Sequence, residues 1–479
     1  RTTRGSPLDI GDEVTKMLDT IAAISTPRGK GGVALIRISG PEAAAVGDRV
    51  FRPKNKKALS GHAEREAVFG EIISGAAVID TGLAVLFRAP RSFTGEDTVE
   101  VSCHGGVLVT AAVLGAALSA GARQAEAGEF TRRAYAAGKL TLSEAESLGM
   151  LLDARTDAQL RLARGGMSGS VSKAVGELCE RISAVLGDIY ARIDFPDEDL
   201  GELSAAEVVE CVKGIRADAE KLRSTYSTGR AIAEGIPTVI CGRTNAGKST
   251  LYNRLTGEAS AIVTADEGTT RDVLTETVSF GGVTLRLSDT AGIREGRDEA
   301  ERVGIGRAKD KIRESELVLF VIDGSRAPDG DEYALADELA ARDGGRVAAI
   351  LSKSDLTGGS AGADRNAAAL WERFPDRVSL SAESGEGMDA LASLVGRMFI
   401  DGSLSPETDA VVQNARQYAA LGEAIGAIID AEETLSIGYS PDIAGISLEE
   451  ALSALRSVDG RGVCAEVVDN IFSKFCVGK

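Results

Sequence analysis

The tightest constraint on this chain is the stretch Gly242-Arg243-Thr244-Asn245-Ala246-Gly247-Lys248-Ser249, which follows directly on the apolar run Thr238–Cys241. An apolar strand, a GxxxxGKS loop and a helix opening at Lys248 are the context in which such a loop wraps phosphates. Its glycines let successive backbone N–H groups turn inward, and the helix N-terminus adds positive potential at the same point. Lys248 then reaches the terminal phosphates, and the Ser249 hydroxyl is offered to Mg²⁺. Asn245, Ala246, Gly247 and Thr250 complete the predicted phosphate-contacting set. A glycine-rich turn without a ligand would not need strand, loop and helix to coincide. From Gly235 to about Ile400 apolar strands alternate with helices, the βαβ rhythm of a parallel sheet.

Further motifs follow in order. Asp289-Thr290-Ala291-Gly292 closes the apolar run Thr284–Leu287. A DxxG at a strand end supplies an outer-shell carboxylate for Mg²⁺ and a glycine N–H for a γ-phosphate. Before it lies the loop Thr264-Ala265-Asp266-Glu267-Gly268-Thr269-Thr270. There the Thr270 hydroxyl can join Mg²⁺ only when a γ-phosphate is bound, giving an ordered and a released state. A threonine pair in a loop is ordinarily just solvated; its place between two phosphate motifs favours the ligand role. After the strand Val347–Leu351, Ser352-Lys353-Ser354-Asp355 resembles the guanine-reading NKxD motif with Ser for Asn. Asp355 can accept two hydrogen bonds from guanine that adenine cannot supply, while Lys353 lies along the ring. Losing the Asn contribution costs about 1 kcal/mol, roughly fivefold in affinity. Ser381-Ala382-Glu383, after Arg377–Leu380, resembles a loop that contacts guanine through its backbone. Ile293 follows the DxxG where Ras-like switches carry Gln, so the group that orients the attacking water must come from elsewhere.

The remainder surrounds this block with other material. At 479 residues the chain is too long for one core. Short β-type runs between glycines from Thr20 to about Thr110 (Ile21–Ile24, Val33–Ile38, Ala67–Ile72, Leu83–Phe87, Val99–Val101), then a helical stretch after Gly105, predict an α+β domain over 19–140. Helical spacing begins at Leu142, with Ser143 and Glu146 as a capping box and the repeat running to about Leu162. Helices continue to about Arg223, broken at Asp194-Phe195-Pro196-Asp197-Glu198-Asp199. The predicted divisions are a helical domain over 141–233, the nucleotide-binding block over 234–402 and a second helical part over 403–479. Helices on both sides suggest that the α/β block is inserted into a helical domain.

A net charge of −18 excludes a generally basic coat, so any polyanion must find a local patch. The longest weakly polar run, Val107–Ala122, falls short of the roughly 20 residues a spanning helix needs. Arg1–Leu18 lacks an apolar signal region, and the missing initiator Met suggests a trimmed or partial chain. Six scattered cysteines without a CxxC pair, and only His62 and His104 beside them, argue for reduced cytoplasmic thiols and against zinc.

Taken together, the motifs carry a resemblance to the MnmE (TrmE) family of tRNA wobble-uridine modification GTPases, within the Era-like class. The matching residues are Gly31–Gly40, Ser92-Phe93-Thr94-Gly95-Glu96-Asp97 with Glu100, His104-Gly105-Gly106, Gly128-Glu129-Phe130-Thr131, Ile193–Glu198, the Asn245–Ser249 loop and the closing Phe475-Cys476-Val477-Gly478-Lys479. Thr244, Ser352, Val477 and Ala265-Asp266-Glu267 depart from the family pattern. The resemblance implies a multidomain fold: an α+β folate-binding and dimerisation domain, then a helical domain carrying an inserted Ras-like P-loop GTPase domain. It implies a homodimer, a tetrahydrofolate one-carbon donor near Arg37, Glu100, Lys139 and Lys479, and an FAD-carrying partner, MnmG (GidA). It also implies K⁺-assisted hydrolysis, with Asn245, Thr264, Asp266 and Thr269 as K⁺ ligands and Glu301 orienting water through a bridging water. Without the resemblance, Glu301 reads as a solvated helix charge, and the folate set as surface or core-edge charges. Cys476 either faces the folate pocket or is a buried thiol beside Phe475, and His104 is a structural hydrogen-bonding residue. The rival from another class is a ribosome-assembly GTPase, an RNA-bound timing switch that would call for a basic RNA-binding domain. A scaffold with a vestigial nucleotide domain is opposed by the intact Lys248, Ser249, Thr270 and Asp289.

Overall fold

The computed structural model describes residues 19–27, 29–194, 205–259, 275–288, 310–342, 345–437 and 441–478. These belong to two compact units, Arg1–Gly149 with Asp459–Lys479, and Met150–Val458.

The first unit is built on a seven-stranded sheet in the order β3-β4-β5-β6-β2-β1-β7. Its strands are β1 (Ile21–Ile24), β2 (Val33–Ser39), β3 (Phe51–Pro53), β4 (Val68–Ser74), β5 (Ala77–Phe87), β6 (Thr98–His104) and β7 (Arg123–Gln124). Alternation along β2 and β6 sorts the residues between two faces. Ala34, Ile36, Ile38, Val99, Val101 and Cys103 are buried in one core with residues of the helices Ala43–Val50 and Val107–Ser119. Val33, Leu35, Arg37, Glu100, Ser102 and His104, paired across the two strands, take the opposite face.

The C-terminal segment returns to this unit. Phe472 is buried with Leu142 and Ala145, and Phe475 packs against the same cluster. Val477 bridges to Ala127, next to Gly128, whose φ of +64° starts the helix Glu129–Ala136. A Cβ on Gly128 would lie 2.3 Å from the Phe472 carbonyl oxygen, so only glycine lets the tail come this close. The sequence reading kept all of 403–479 with the helical domain. By compactness the residues from Asp459 onward group with the first unit, where Phe472 is buried and Phe475 packs beside it.

In the second unit the helices Ser170–Asp194, Ala205–Ser224, Ala415–Ile437 and Pro441–Val458 share one core, including Ile182, Val212, Ile428 and Leu455. Two of these helices precede the α/β block in sequence and two follow it, so the block is an insertion. Its sheet runs β13-β12-β11-β8-β10-β9, from β8 (Ile236–Cys241), β9 (Thr275–Phe280), β10 (Val283–Ser288), β11 (Leu317–Asp323), β12 (Arg346–Ser352) and β13 (Arg377–Ser379). Every pairing is parallel except β9 with β10. That hairpin is absent from the purely parallel reading; it turns on Gly281-Gly282, both at positive φ, as tight hairpins require. The Arg230–Glu316 ion pair, at 2.5 Å, ties the block to the helix that leads into it.

Two local expectations shift. The capping box at the start of helix Leu142–Asp153 is made by Thr141 and Glu144, whose side chains and backbone N–H groups bond reciprocally at 3.2 and 2.7 Å, and not by Ser143 and Glu146. The helix does not run on to Leu162: a second box, Thr156 with Gln159, opens a new helix, Asp157–Met167. Among the described residues no helix is long and apolar enough to cross a membrane.

Candidate guanine nucleotide site and one-carbon site

The nucleotide loop begins where β8 ends. Gly242, at φ +138°, passes so close to β11 that a Cβ would lie 2.2 Å from the Val321 carbonyl oxygen. Asn245 and Gly247 also have positive φ, +65° and +104°, which turns successive backbone N–H groups towards one concavity. Ala246 is buried beneath the loop, while Asn245, Ser249 and Thr250 are exposed. Lys248 curls back so that its ammonium donates to the Arg243 carbonyl oxygen at 2.7 Å. Burial holds its pKa below the usual lysine value, so anionic phosphate oxygens at the loop would supply the missing counter-charge. Burial also pushes the neighbouring Cys241 thiol up to about 12.

The two base-reading segments lie against this loop. The Ser352 hydroxyl at the end of β12 sits 2.6 Å from the Ala246 carbonyl oxygen and 3.0 Å from that of Ile322, and is buried. Ser352 thus ties the base-reading strand to the phosphate loop from within the protein. Lys353, at φ +60°, donates to Asp323 at 2.7 Å. Burial alone would raise the Asp323 pKa, but the hydrogen bonds from Lys353 and Ser325 outweigh it and hold the carboxyl below the usual range. The Ser354 N–H donates to the Leu380 carbonyl oxygen at 3.2 Å, bringing Ser381-Ala382-Glu383 alongside. Arg254 donates to the carbonyl oxygens of Ala382 and Glu383 at 3.1 and 3.0 Å and fixes that loop. Asp355 stands exposed in the first turn after Lys353, open to a base. Two residues of this site went unread in the sequence: Asp323, signalled only by an acid closing an apolar strand, and Arg254, which nothing in the linear pattern marks.

The structure therefore brings together Asn245 to Thr250, Ser352 to Asp355 and Ser381 to Glu383. Thr264, Ala265, Asp266, Glu267, Gly268, Thr269, Thr270, Asp289, Thr290, Ala291, Gly292, Glu301 and Lys479 lie outside the described residues.

In the first unit, Arg37 and Glu100 are cross-strand partners, and their side chains join at 2.8 Å on the open sheet face. The Arg37 guanidinium lies 5.4 Å from the Phe93 ring centroid and 5.6 Å from that of Phe130. The Lys139 stem runs beside the loop holding Phe93, since a Cβ on Gly95 would be 3.8 Å from its Cγ and Cε. Glu96 pins the loop by accepting from Ser39 at 2.7 Å and from the buried Arg133 at 3.1 Å. Three of the four folate candidates thus border one polar and aromatic corner; the sequence reading did not assign Phe93 or Phe130 as its walls. Asp80 clamps His104 through both its backbone N–H and Nδ1 at 2.8 Å, as a structural residue would be held. Cys476 is exposed, which removes the buried-thiol reading.

A strand, phosphate loop and helix with two base-reading loops beside them define a P-loop GTPase domain, here inserted into a helical bundle. Residues 20–139 match the family described as GTP-binding protein TrmE N-terminus, and residues 142–476 match the MnmE helical domain. The tRNA modification GTPase MnmE of Symbiobacterium thermophilum is 39% identical over 464 residues, 96% of this chain and 99% of the relative. That of Heliobacterium modesticaldum is 38% identical over 469 residues, 96% of this chain and 99% of the relative. Among solved structures, Aquifex aeolicus Era Y63A bound to GDP.AlF4- aligns over 40% of this chain and 66% of its own, with 24% identity and a TM-score of 0.27. The chain belongs to the MnmE (TrmE) family of tRNA modification GTPases.

Proposed function

We propose that this GTPase of tRNA modification couples guanine nucleotide turnover to the transfer of a folate-borne one-carbon unit to C5 of a wobble uridine. The observation that carries the reading is the Arg37–Glu100 pair set under Phe93 and Phe130, in a unit other than the GTPase domain. A pterin ring suits that corner: the exposed Phe93 ring accepts a flat face, the buried Phe130 backs Arg37, Glu100 accepts from an N–H edge, and Arg37 and Lys139 hold anionic groups. Lys479 completes the proposed set. A tetrahydrofolate derivative bound there supplies the carbon unit, and the redox chemistry falls to an FAD-carrying partner of the MnmG (GidA) type.

In the GTPase domain, the backbone N–H groups from Asn245 to Thr250 and the Lys248 ammonium hold the β- and γ-phosphates. Asp355 and the Ser381–Glu383 loop select guanine, with Lys353 along the ring. Ser249 and Thr270 would hold Mg²⁺, and the exposed first turn around Ser249 has room for it. Asn245 fits a K⁺ ligand because its left-handed backbone leaves the side chain exposed at the crest of the loop. Thr264, Asp266 and Thr269 would add oxygens, and the cation would compensate charge developing between the β- and γ-phosphates. Asp289 with Thr290, Ala291 and Gly292, and the loop Ala265 to Gly268, are assigned to the γ-phosphate side. Glu301 orients the attacking water, the task left open by Ile293. The exposed Val33, Val107 and Leu108 support a homodimer formed through the first unit. Six free cysteines are in keeping with a cytoplasmic protein.

Two measurements test the reading. GTP turnover should fall strongly when Na⁺ replaces K⁺, and equal rates would remove the cation mechanism. Calorimetry should show a reduced folate binding the full chain and failing to bind Arg37→Ala; identical binding by both would remove the assigned corner.

A further inference from the structure

A chain of net charge −18 that acts on tRNA has to concentrate its cations somewhere, and one segment stands out. From Arg49 to Ala63 there are five cations, Arg49, Arg52, Lys54, Lys56 and Lys57, and no carboxylate. All five are exposed. Arg52 is paired with Glu71 at 2.5 Å, whereas among the described residues no ion pair is formed by the three lysines. The Lys54 ammonium lies 4.9 Å from the ring centroid of Phe69, which is 46% exposed. A cation beside an accessible ring, within a run of free ammonium groups, is the composition of single-stranded nucleic-acid surfaces, where phosphates meet the cations and bases stack on rings.

The segment is also tied to the proposed one-carbon corner. Arg88 donates to the Ser60 carbonyl oxygen at 3.1 Å and pairs with Asp97 at 2.6 Å. Arg65 donates to the Arg91 carbonyl oxygen at 2.9 Å. The first contact anchors the end of the basic segment, and the second the residues just after it, to the loop Arg88–Asp97, which carries Phe93 beside Arg37. In the sheet order β3-β4-β5-β6-β2 the lysines follow the edge strand β3, and register places Phe69 on the same face as Leu83, Ser102 and Leu35, the face that carries Arg37 and Glu100, so a strand held on the lysines can cross that face towards the corner.

We propose that Lys54, Lys56 and Lys57, with Phe69 at their edge, form a docking surface for tRNA on the first unit, contacting phosphates and one unstacked base. The assignment rests on the tRNA reading above and adds the surface that serves it. An acidic protein or an anionic membrane would use the lysines but has no need of the ring.

The test is filter binding of an unmodified tRNA transcript to the full chain between 50 and 300 mM KCl, these concentrations being about the range where salt slopes are readily measured. Three proteins are compared: wild type, Lys54→Glu/Lys56→Glu/Lys57→Glu, and a control with equal charge change, Lys173→Glu/Lys213→Glu/Lys221→Glu. Melting curves establish that each is folded. The proposal expects the first variant to lose about 100-fold in affinity at 0.1 M salt and its salt slope to fall by about 2 to 3, with the control near wild type. Phe69→Ala should weaken binding without changing the slope. Equal losses in both triple variants would assign the effect to net charge and overturn the surface, as would no loss in either. Binding to phosphatidylserine vesicles with the same dependence on the three lysines would overturn it in favour of a membrane. A wild type that binds no tRNA at any salt would overturn the tRNA reading itself, a result separate from any failure of the lysines.

Discussion

Replacing Ser352 by Ala isolates what the departure from the guanine motif does. The Ser352 hydroxyl lies 2.6 Å from the Ala246 carbonyl oxygen and 3.0 Å from that of Ile322, in a site with only 4% of the residue exposed. Removing it leaves the Ala246 carbonyl, at the base of the phosphate loop, without that donor and out of reach of bulk water. A buried carbonyl deprived of its partner costs about 1–3 kcal/mol. If that cost falls on the loop conformation that holds phosphates, guanine nucleotide affinity drops by about 5- to 150-fold. Stopped-flow measurements with a fluorescent GDP analogue should place most of the loss in the dissociation rate, because the loop loosens after binding. Ser352→Asn, restoring the usual motif residue, should match wild type or exceed it by up to about fivefold. Unchanged affinity and dissociation rate in Ser352→Ala would refute the tie between the base-reading strand and the phosphate loop.

Asp355→Asn should move nucleotide preference from GTP towards xanthosine triphosphate, measured by competition binding; unaltered GTP affinity would withdraw its role. The hydrogen bond from Arg230 holds the Glu316 carboxyl below the ordinary glutamate range, so this pair stabilises the fold above that range and stops doing so as pH falls through the lowered folded value. Melting of Glu316→Gln should accordingly lose less stability than wild type on acidification below about pH 4.5, and parallel pH profiles would contradict it. Iodoacetamide mapping near pH 8 should label exposed Cys464 and Cys476 first, with Cys103, its thiol pushed up to about 11 by burial and Asp80, and Cys241 protected until unfolding. Gly128→Ala should detach the C-terminal segment from the first unit, read as faster proteolysis after Asp459, because its Cβ would meet the Phe472 carbonyl at 2.3 Å.

The GTPase domain was legible because its chemistry is local. A phosphate loop is a run of neighbouring N–H groups, so Gly242 to Ser249 fix its type by themselves, and an apolar strand ending in Ser352–Asp355 announces a base-reading turn. Helix starts were less legible: Thr141 and Thr156 outcompete Ser143 because a capping box depends on which hydroxyl the backbone turn presents, and several candidates fit the same spacing. The β9–β10 hairpin was hidden by the parallel rhythm around it.

Read along the chain alone, the motifs already named the nucleotide and their own order and, through the long-range resemblance, the family. It took the folded structure to reveal that Asp323 receives Lys353, that Phe93 and Phe130 flank Arg37, and that Phe472 of the C-terminal segment is buried against Leu142 and Ala145. The difference is one of range. Turn and loop geometry is set by adjacent residues, whereas the partner of a buried charge or ring is whichever side chain the folded sheet brings within a few ångströms, however far away it lies along the chain.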